Sequence, residues 1–224
     1  MIVEILDPRL VIATGIVGAG KSGTMRELCR MVPNAVLLSK DVVNQGMSHL
    51  PVEHDGNGLV HDGSPISETP FGEMYTFSPI TAYYRNHVRL QTHMVNAVIA
   101  RDNLDLGKVV IVDSFAINLL QNGNVERFIN QPNFCSFPRY LIHFIVDEEE
   151  GYERLVQRAK TSPYWEARDR DKIASREAFH EYATVREPMR PVELERITHQ
   201  LIDTSGKSPL QCAGEVLSYI KVKL

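Results

Sequence analysis

Short apolar runs alternate with helical periodicity along most of the chain. Leu10–Thr14, Ala35–Leu38, Val109–Val112, Leu141–Val146 and Gln200–Ile202 are brief apolar stretches bounded by turn residues, the pattern of strands buried on both faces. Between them, apolar positions recur at helical spacing over Gly23–Met31, Asp41–Met47, Ile80–Arg101, Val125–Ile129, Glu148–Lys160, Asp171–Glu187 and Pro209–Lys221, which predicts helices. Alternating strands and helices predict an α/β domain. A parallel strand pair needs a long crossover, and helices that supply it cover both faces of the sheet. Met1–Leu6 predicts a further edge strand.

Two stretches break this rhythm. Residues 51–79 are rich in Gly, Pro, Asp, Ser and His, with little periodic apolar content, and read as a long loop of the kind that carries function in a compact domain. Residues 161–176 are crowded with charge: Arg168, Asp169, Arg170, Asp171, Lys172 and Arg176. No repeat, low-complexity tract or linker is evident, so 1–224 reads as one domain.

The link between the first strand and first helix carries the strongest chemical signal. Gly15-Ile16-Val17-Gly18-Ala19-Gly20-Lys21-Ser22 fits G-x-x-x-x-G-K-[ST], the P-loop, and the flanking strand and helix are the context that motif requires. Glycines allow backbone N–H groups from Gly15 through Gly23, with Val17 and Ala19 between, to turn toward one anion. The helix N-terminus adds partial positive charge. Lys21 reaches toward β- and γ-phosphates, and Ser22 offers a hydroxyl to Mg²⁺. Gly206-Lys207-Ser208 repeats the ending without the earlier glycine and reads as an ordinary turn.

Other residues gain meaning beside that loop. The β-branched run Val109–Val112 ends in Asp113, an acid placed to orient Mg²⁺ or to touch an acceptor. Asp41 follows the second strand, whose carboxyl end is expected beside that of the first. It can take a proton from an attacking hydroxyl, or simply belong to the helix start. Arg154 and Arg158 share a helix face just before the charged run, where they can close over a triphosphate. Trp165, the only Trp, lies in that run. His54, Asp55, Asn57, His61 and Asp62 invite a metal reading, but Asp55-Gly56-Asn57-Gly58 reads more simply as a hairpin turn.

Composition narrows the classes. The 224 residues, 43% hydrophobic and 23% charged with a net charge of −4, describe a globular protein and argue against a nucleic-acid coating protein. Cys29, Cys135 and Cys212 are scattered, so no zinc or redox pair is expected, and a cytoplasmic setting is. No secretory leader or bilayer-length apolar stretch is expected. No N-K-x-D guanine motif supports a GTP-dependent switch.

The P-loop, the Asp after the second strand, the VVIVDS strand, the R-x-x-x-R helix and the Ile202-Asp203-Thr204-Ser205 segment resemble, in that order, the P-loop kinases near the polynucleotide 5′-hydroxyl kinases, zeta-toxin kinases and small bacterial and phage kinases. That resemblance implies a three-layer P-loop NTPase fold, with five parallel strands, helices on both faces and a helical lid over 161–176. It implies ATP as co-substrate with Mg²⁺ at Lys21 and Ser22, and Asp41 as general base. Arg154 and Arg158 would be lid arginines, the second also stacking on adenine, with Asp203–Lys207 near the base. Polynucleotide kinases often carry Arg three residues after the base, where this chain has Asn44. The expected activity is γ-phosphate transfer to a hydroxyl of a nucleoside, a nucleic acid or a small metabolite, with 51–79 binding the acceptor. The alternative is a nucleoside monophosphate kinase, and a non-kinase nucleotide switch is the more distant one.

Overall fold

The computed structural model describes residues 5, 7–47, 49–51, 66–69, 72–76, 88–115, 123–161, 163–186 and 188–222. The expected strand Met1–Leu6, the 55–58 turn with its His and Asp neighbours, the helix before Val88 and the Trp165 side chain lie outside what it describes. The chain divides into two compact units, Met1–Leu38 with Ile99–Leu224, and Ser39–Val98.

The first unit is built on a parallel sheet of five strands: β1 (Arg9–Gly15), β2 (Ala35–Ser39), β6 (Val109–Phe115), β7 (Arg139–Ile145) and β8 (His199–Asp203), in spatial order β2-β6-β1-β7-β8. All five coincide with predicted runs, longer by one to three residues at an end, except that β7 stops at Ile145, one residue short of the predicted Val146. β1 is buried along its whole length, as a central strand covered on both faces must be. It begins at Arg9 rather than Leu10, because Arg9 already pairs with Val109 of β6; the almost fully buried Arg9 also donates from Nη1 to the Ile220 carbonyl at 2.6 Å. One expectation is corrected. β6 lies between β2 and β1, so the carboxyl end of β2 does not emerge beside that of β1.

Helices α1 (Lys21–Met31) and α8 (Pro209–Val222) pack on one face of the sheet. Met25, Leu28 and Met31 of α1 meet Ala213, Val216, Leu217 and Ile220 of α8 in a core that includes Val11, Ile111, Ile142 and Phe144. Spacings of three and four residues put each set on one helix face. α4 (Asn124–Ile129) follows β6, and α5 (Glu148–Ala159) follows β7. Asp147 caps α5 by accepting the Glu150 N–H at 3.2 Å, and three glutamates in its first turn suit the helix dipole.

The expected single helix Asp171–Glu187 is instead two. α6 (Pro163–Ile173) takes up most of the charged run, and Ser175 starts α7 (Arg176–Glu181) by accepting the Ala178 N–H at 3.1 Å. A π-helical turn, Tyr182–Arg186, follows. A serine hydroxyl that can bond the backbone favours a helix start over a helix interior, which is why periodicity alone ran through the break.

The second unit holds α2 (Lys40–Met47), the amino-terminal half of α3 (Arg89–Asp105) and a sheet of three antiparallel strands: β3 (His49–Pro51), β4 (Ile66–Thr69) and β5 (Gly72–Thr76), ordered β3-β5-β4. The described parts of 51–79 are therefore sheet rather than plain loop. Their register pairs Ile66 with Tyr75 and Leu50 with Tyr75 from the other side. Asn44 of α2 is buried and its Oδ1 accepts from Thr92 Oγ1 of α3 at 2.5 Å.

Candidate active site

The chain leaves β1 at Gly15 and enters α1 at Lys21 through a loop whose glycines take left-handed torsions: φ is +134° at Gly15, +84° at Gly18 and +72° at Gly20. At Gly18 the need for glycine is steric as well as torsional. A Cβ there would stand 2.7 Å from the Gly151 carbonyl oxygen, because the loop is pressed against the first turn of α5. Gly20 precedes α1 and offers its first turn no side-chain cap. Val17 is half-buried and Ala19 fully buried, both against the core. A bent chain with uncapped N–H groups and no room for side chains is the geometry a phosphate needs. Lys21 folds its Nζ across the loop onto the Gly15 and Ile16 carbonyls, at 2.7 and 2.5 Å.

Asp113 lies on β6, whose Cα pairs there with Ala13 of β1, just before the register slips between Ala13 and Thr14. It is nearly buried and, by strand alternation, shares the α1-facing side with Val109 and Ile111. It is not the last residue of its strand, which runs on to Phe115. Ser22 is half-buried in the first turn of α1. A hydroxyl and a carboxylate of this kind fit Mg²⁺ held mainly by phosphate and water. Among the described residues no cluster of three metal-ligating side chains exists. Asp41 is half-buried in the first turn of α2, directly after β2.

The arginines are anchored. Arg154 donates from Nη1 to Thr204 Oγ1 at 2.9 Å and to the Gly18 carbonyl at 3.3 Å, and from Nη2 to the Thr204 carbonyl at 2.9 Å and Glu150 Oε1 at 2.6 Å. It thus stitches the glycine loop to the turn after β8. Glu150 accepts the Gly206 N–H at 2.9 Å, and the Ser205 hydroxyl and N–H hold the Asp203 carboxyl below its usual range. Arg158, one turn along α5, donates from Nε to Asp169 Oδ2 at 3.0 Å.

One member of this set, Glu150, was not legible as a site residue. Glu150 stands four residues before Arg154, a spacing that signals a helical ion pair. Thr204 sits in the segment already singled out, but its role comes from the fold. His143 gave no signal inside an apolar strand. It is fully buried, with Nε2 against the Met189 carbonyl at 2.6 Å. Burial pushes its pKa down to about 4, and the positive charge of His199, Lys21 and Arg190 acts the same way, against the Met189 bond.

A glycine loop closing the central strand of a parallel sheet with this strand order defines a P-loop α/β protein of the kinase type. The chain belongs to the AAA domain family AAA_33, whose profile matches residues 10–189. Its fold is shared with a putative kinase from Chloroflexus aurantiacus j-10-fl at 16% identity, a TM-score of 0.58 and coverage of 98% of this chain and 100% of that one. It is also similar to shikimate kinase from Acinetobacter baumannii in complex with shikimate, at 15% identity, a TM-score of 0.54 and coverage of 97% and 96%. A chain of the Pnkp1/Rnl/Hen1 RNA repair complex matches at 16% identity with a TM-score of 0.52, over 88% of this chain and 48% of that one. No curated protein matches the sequence. Family and fold together make this a P-loop nucleotide-binding α/β protein, with the fold that these kinases share. No described helix is long and apolar enough to cross a membrane.

Proposed function

We propose that the protein is an ATP-dependent kinase that transfers the γ-phosphate to a hydroxyl. The observation that carries this is the glycine loop with Lys21 across it, at the head of α1. Backbone N–H groups from Gly15 to Gly23 hold the triphosphate, and Lys21 leaves its carbonyl partners to meet the β- and γ-phosphates. Ser22 and Asp113 would hold Mg²⁺, which supplies charge neutralisation on the phosphates. Arg154 and Arg158 set positive charge beside the loop, and Asp203–Lys207 borders the adenine. The segment 161–176 acts as the lid and 51–79 binds the acceptor.

Asp41 is the general base, accepting the proton that an alcohol must lose on attack. A hydroxyl is favoured over a phosphate acceptor because an anionic acceptor needs a cation to receive it. Asn44, the position where the polynucleotide kinases often have Arg, is uncharged and turned inward onto Thr92. The candidate acceptors are a nucleoside, a hydroxyl end of nucleic acid or a small metabolite. Following ADP release from ATP over a panel of these alcohols and of nucleoside monophosphates tests the reading. Turnover with an alcohol alone supports it, and turnover with monophosphates alone replaces it by a nucleotide kinase.

A further inference from the structure

The bonds of Arg154 end partly on the glycine loop's own backbone, and so do those of Thr204. A guanidinium carries two N–H groups on each terminal nitrogen. In Arg154 all of them are engaged within the chain: those of Nη1 by Thr204 Oγ1 and the Gly18 carbonyl, those of Nη2 by the Thr204 carbonyl and Glu150 Oε1. So held, Arg154 has no terminal N–H to give to a phosphate. Glu150 grips it from the preceding turn of α5, and the second Glu150 oxygen accepts the Gly206 N–H at 2.9 Å.

Thr204 is buried, and its hydroxyl lies 3.3 Å from the Ala19 carbonyl and 3.2 Å from the Ile145 carbonyl. Ile145 already receives the Thr204 N–H at 3.0 Å, so Ala19 is the acceptor that the hydroxyl adds. Arg154 and Thr204 also close on Gly20. A Cβ there would stand 3.2 Å from Arg154 Nη1 and 3.6 Å from Thr204 Oγ1.

Two successive loop carbonyls, Gly18 and Ala19, are therefore turned outward onto Arg154 and Thr204. A trans peptide sets its N–H opposite its C=O, so the Ala19 and Gly20 N–H groups are turned the other way. Ala19 marks that direction. Its N–H lies 3.4 Å from the Ile16 carbonyl, the same oxygen that Lys21 Nζ meets at 2.5 Å.

We propose that Glu150, Arg154 and Thr204 are positioning residues, a clamp that turns the Ala19 and Gly20 N–H groups toward the phosphate before nucleotide arrives. Arg154 then acts through the loop's peptides and not by touching the phosphate. The clamp has this role only if the glycine loop binds nucleotide, as the kinase reading holds. Donors already oriented need no reorganisation when an anion binds, so the clamp's effect falls on nucleotide affinity.

Hydrogen exchange over the glycine loop of the nucleotide-free full chain, together with calorimetry using MgADP, tests this. Glu150→Ala and Thr204→Val should each speed exchange in the loop about 10-fold and weaken MgADP binding about 10-fold, with exchange in α8 unchanged. Thr204→Ser keeps the hydroxyl and should stay within about 2-fold of the wild type in both measurements. Unaltered loop exchange in Glu150→Ala and Thr204→Val overturns the proposal, because any loss of MgADP affinity would then come from contact with the nucleotide itself. Faster exchange with unaltered MgADP affinity overturns it too, because the loop's shape would not govern binding. If Thr204→Val fails to fold, Glu150→Ala decides, its side chain being 33% exposed. A wild-type chain that takes up no MgADP defeats the nucleotide reading, whatever the exchange shows.

Discussion

β1, α1 and α8 bury a different kind of side chain from α2 and α3. In the α/β unit, β1 buries an almost wholly apolar set, and the facing sides of α1 and α8 add Met25, Leu28, Val216, Leu217 and Ile220. In the unit Ser39–Val98, the buried positions of α2 and α3 include Asn44, Thr92, His93 and Asn96, and the Asn96 side chain makes no hydrogen bond among the described residues. Apolar burial is non-directional and tolerates small shifts, which suits a scaffold that has only to place a loop. Polar burial is directional and specifies one arrangement, because each unmet donor or acceptor is expensive. On the proposed function, the scaffold would hold the triphosphate tail and the smaller unit would discriminate among acceptors.

The contrast can be broken first at the loop. Lys21→Ala should lower turnover at least about 10³-fold by ADP release while the melting temperature stays near wild type, since the side chain reaches across the loop to the Gly15 and Ile16 carbonyls and not into the apolar core. A large loss of stability would make the loop part of the scaffold rather than its passenger.

Acid comes next. The His143 ring resists protonation down to about 4, whereas the unfolded chain takes up that proton near the ordinary value of 6.5. Stability from this group is complete above pH 6.5 and is lost as pH falls through the window to 4, by up to about 3 kcal/mol. Urea midpoints between pH 4 and 7 should show it, and His143→Leu should flatten the slope. An unchanged slope in that variant would put the acid sensitivity elsewhere.

Asp41→Asn sharpens the functional half of the contrast. Turnover should fall about 10²-fold with ATP affinity within a few-fold, measured by ADP release and calorimetry. Normal turnover removes the base assignment. The smallest effect is expected from Thr92→Val, which deletes the hydroxyl on Asn44 and should cost about 1 kcal/mol in denaturant unfolding. If the α/β unit loses stability alone, the polar contact does not belong to the smaller unit's own cohesion.

Legibility followed the same divide. The five core strands stood out because apolar runs bounded by turn residues have few other readings in a globular chain. The glycine loop was legible because its torsions and its chemistry both demand particular residue types at fixed spacing. The antiparallel strands β4 and β5 were not, because Ile66–Thr69 and Gly72–Thr76 carry few apolar residues to alternate. The helix break at Ser175 was hidden for a related reason. Charged residues on both sides of it satisfy helical spacing, and only the cap bond to Ala178 ends one helix and begins another.

Taken alone, the order of residues determined that strand, glycine loop and helix follow one another, although it began the helix at Gly23 where the structure begins it at Lys21. Those are local facts, set by backbone torsion and by periodicity within a few residues. Tertiary structure decided that β6 separates β2 from β1, that Arg154 joins Gly18 to Thr204, and that Asp169 is buried between Arg158 and Lys172. Each of these depends on which elements pack together, and an ion pair or a strand neighbour across that packing leaves no periodic trace in the chain.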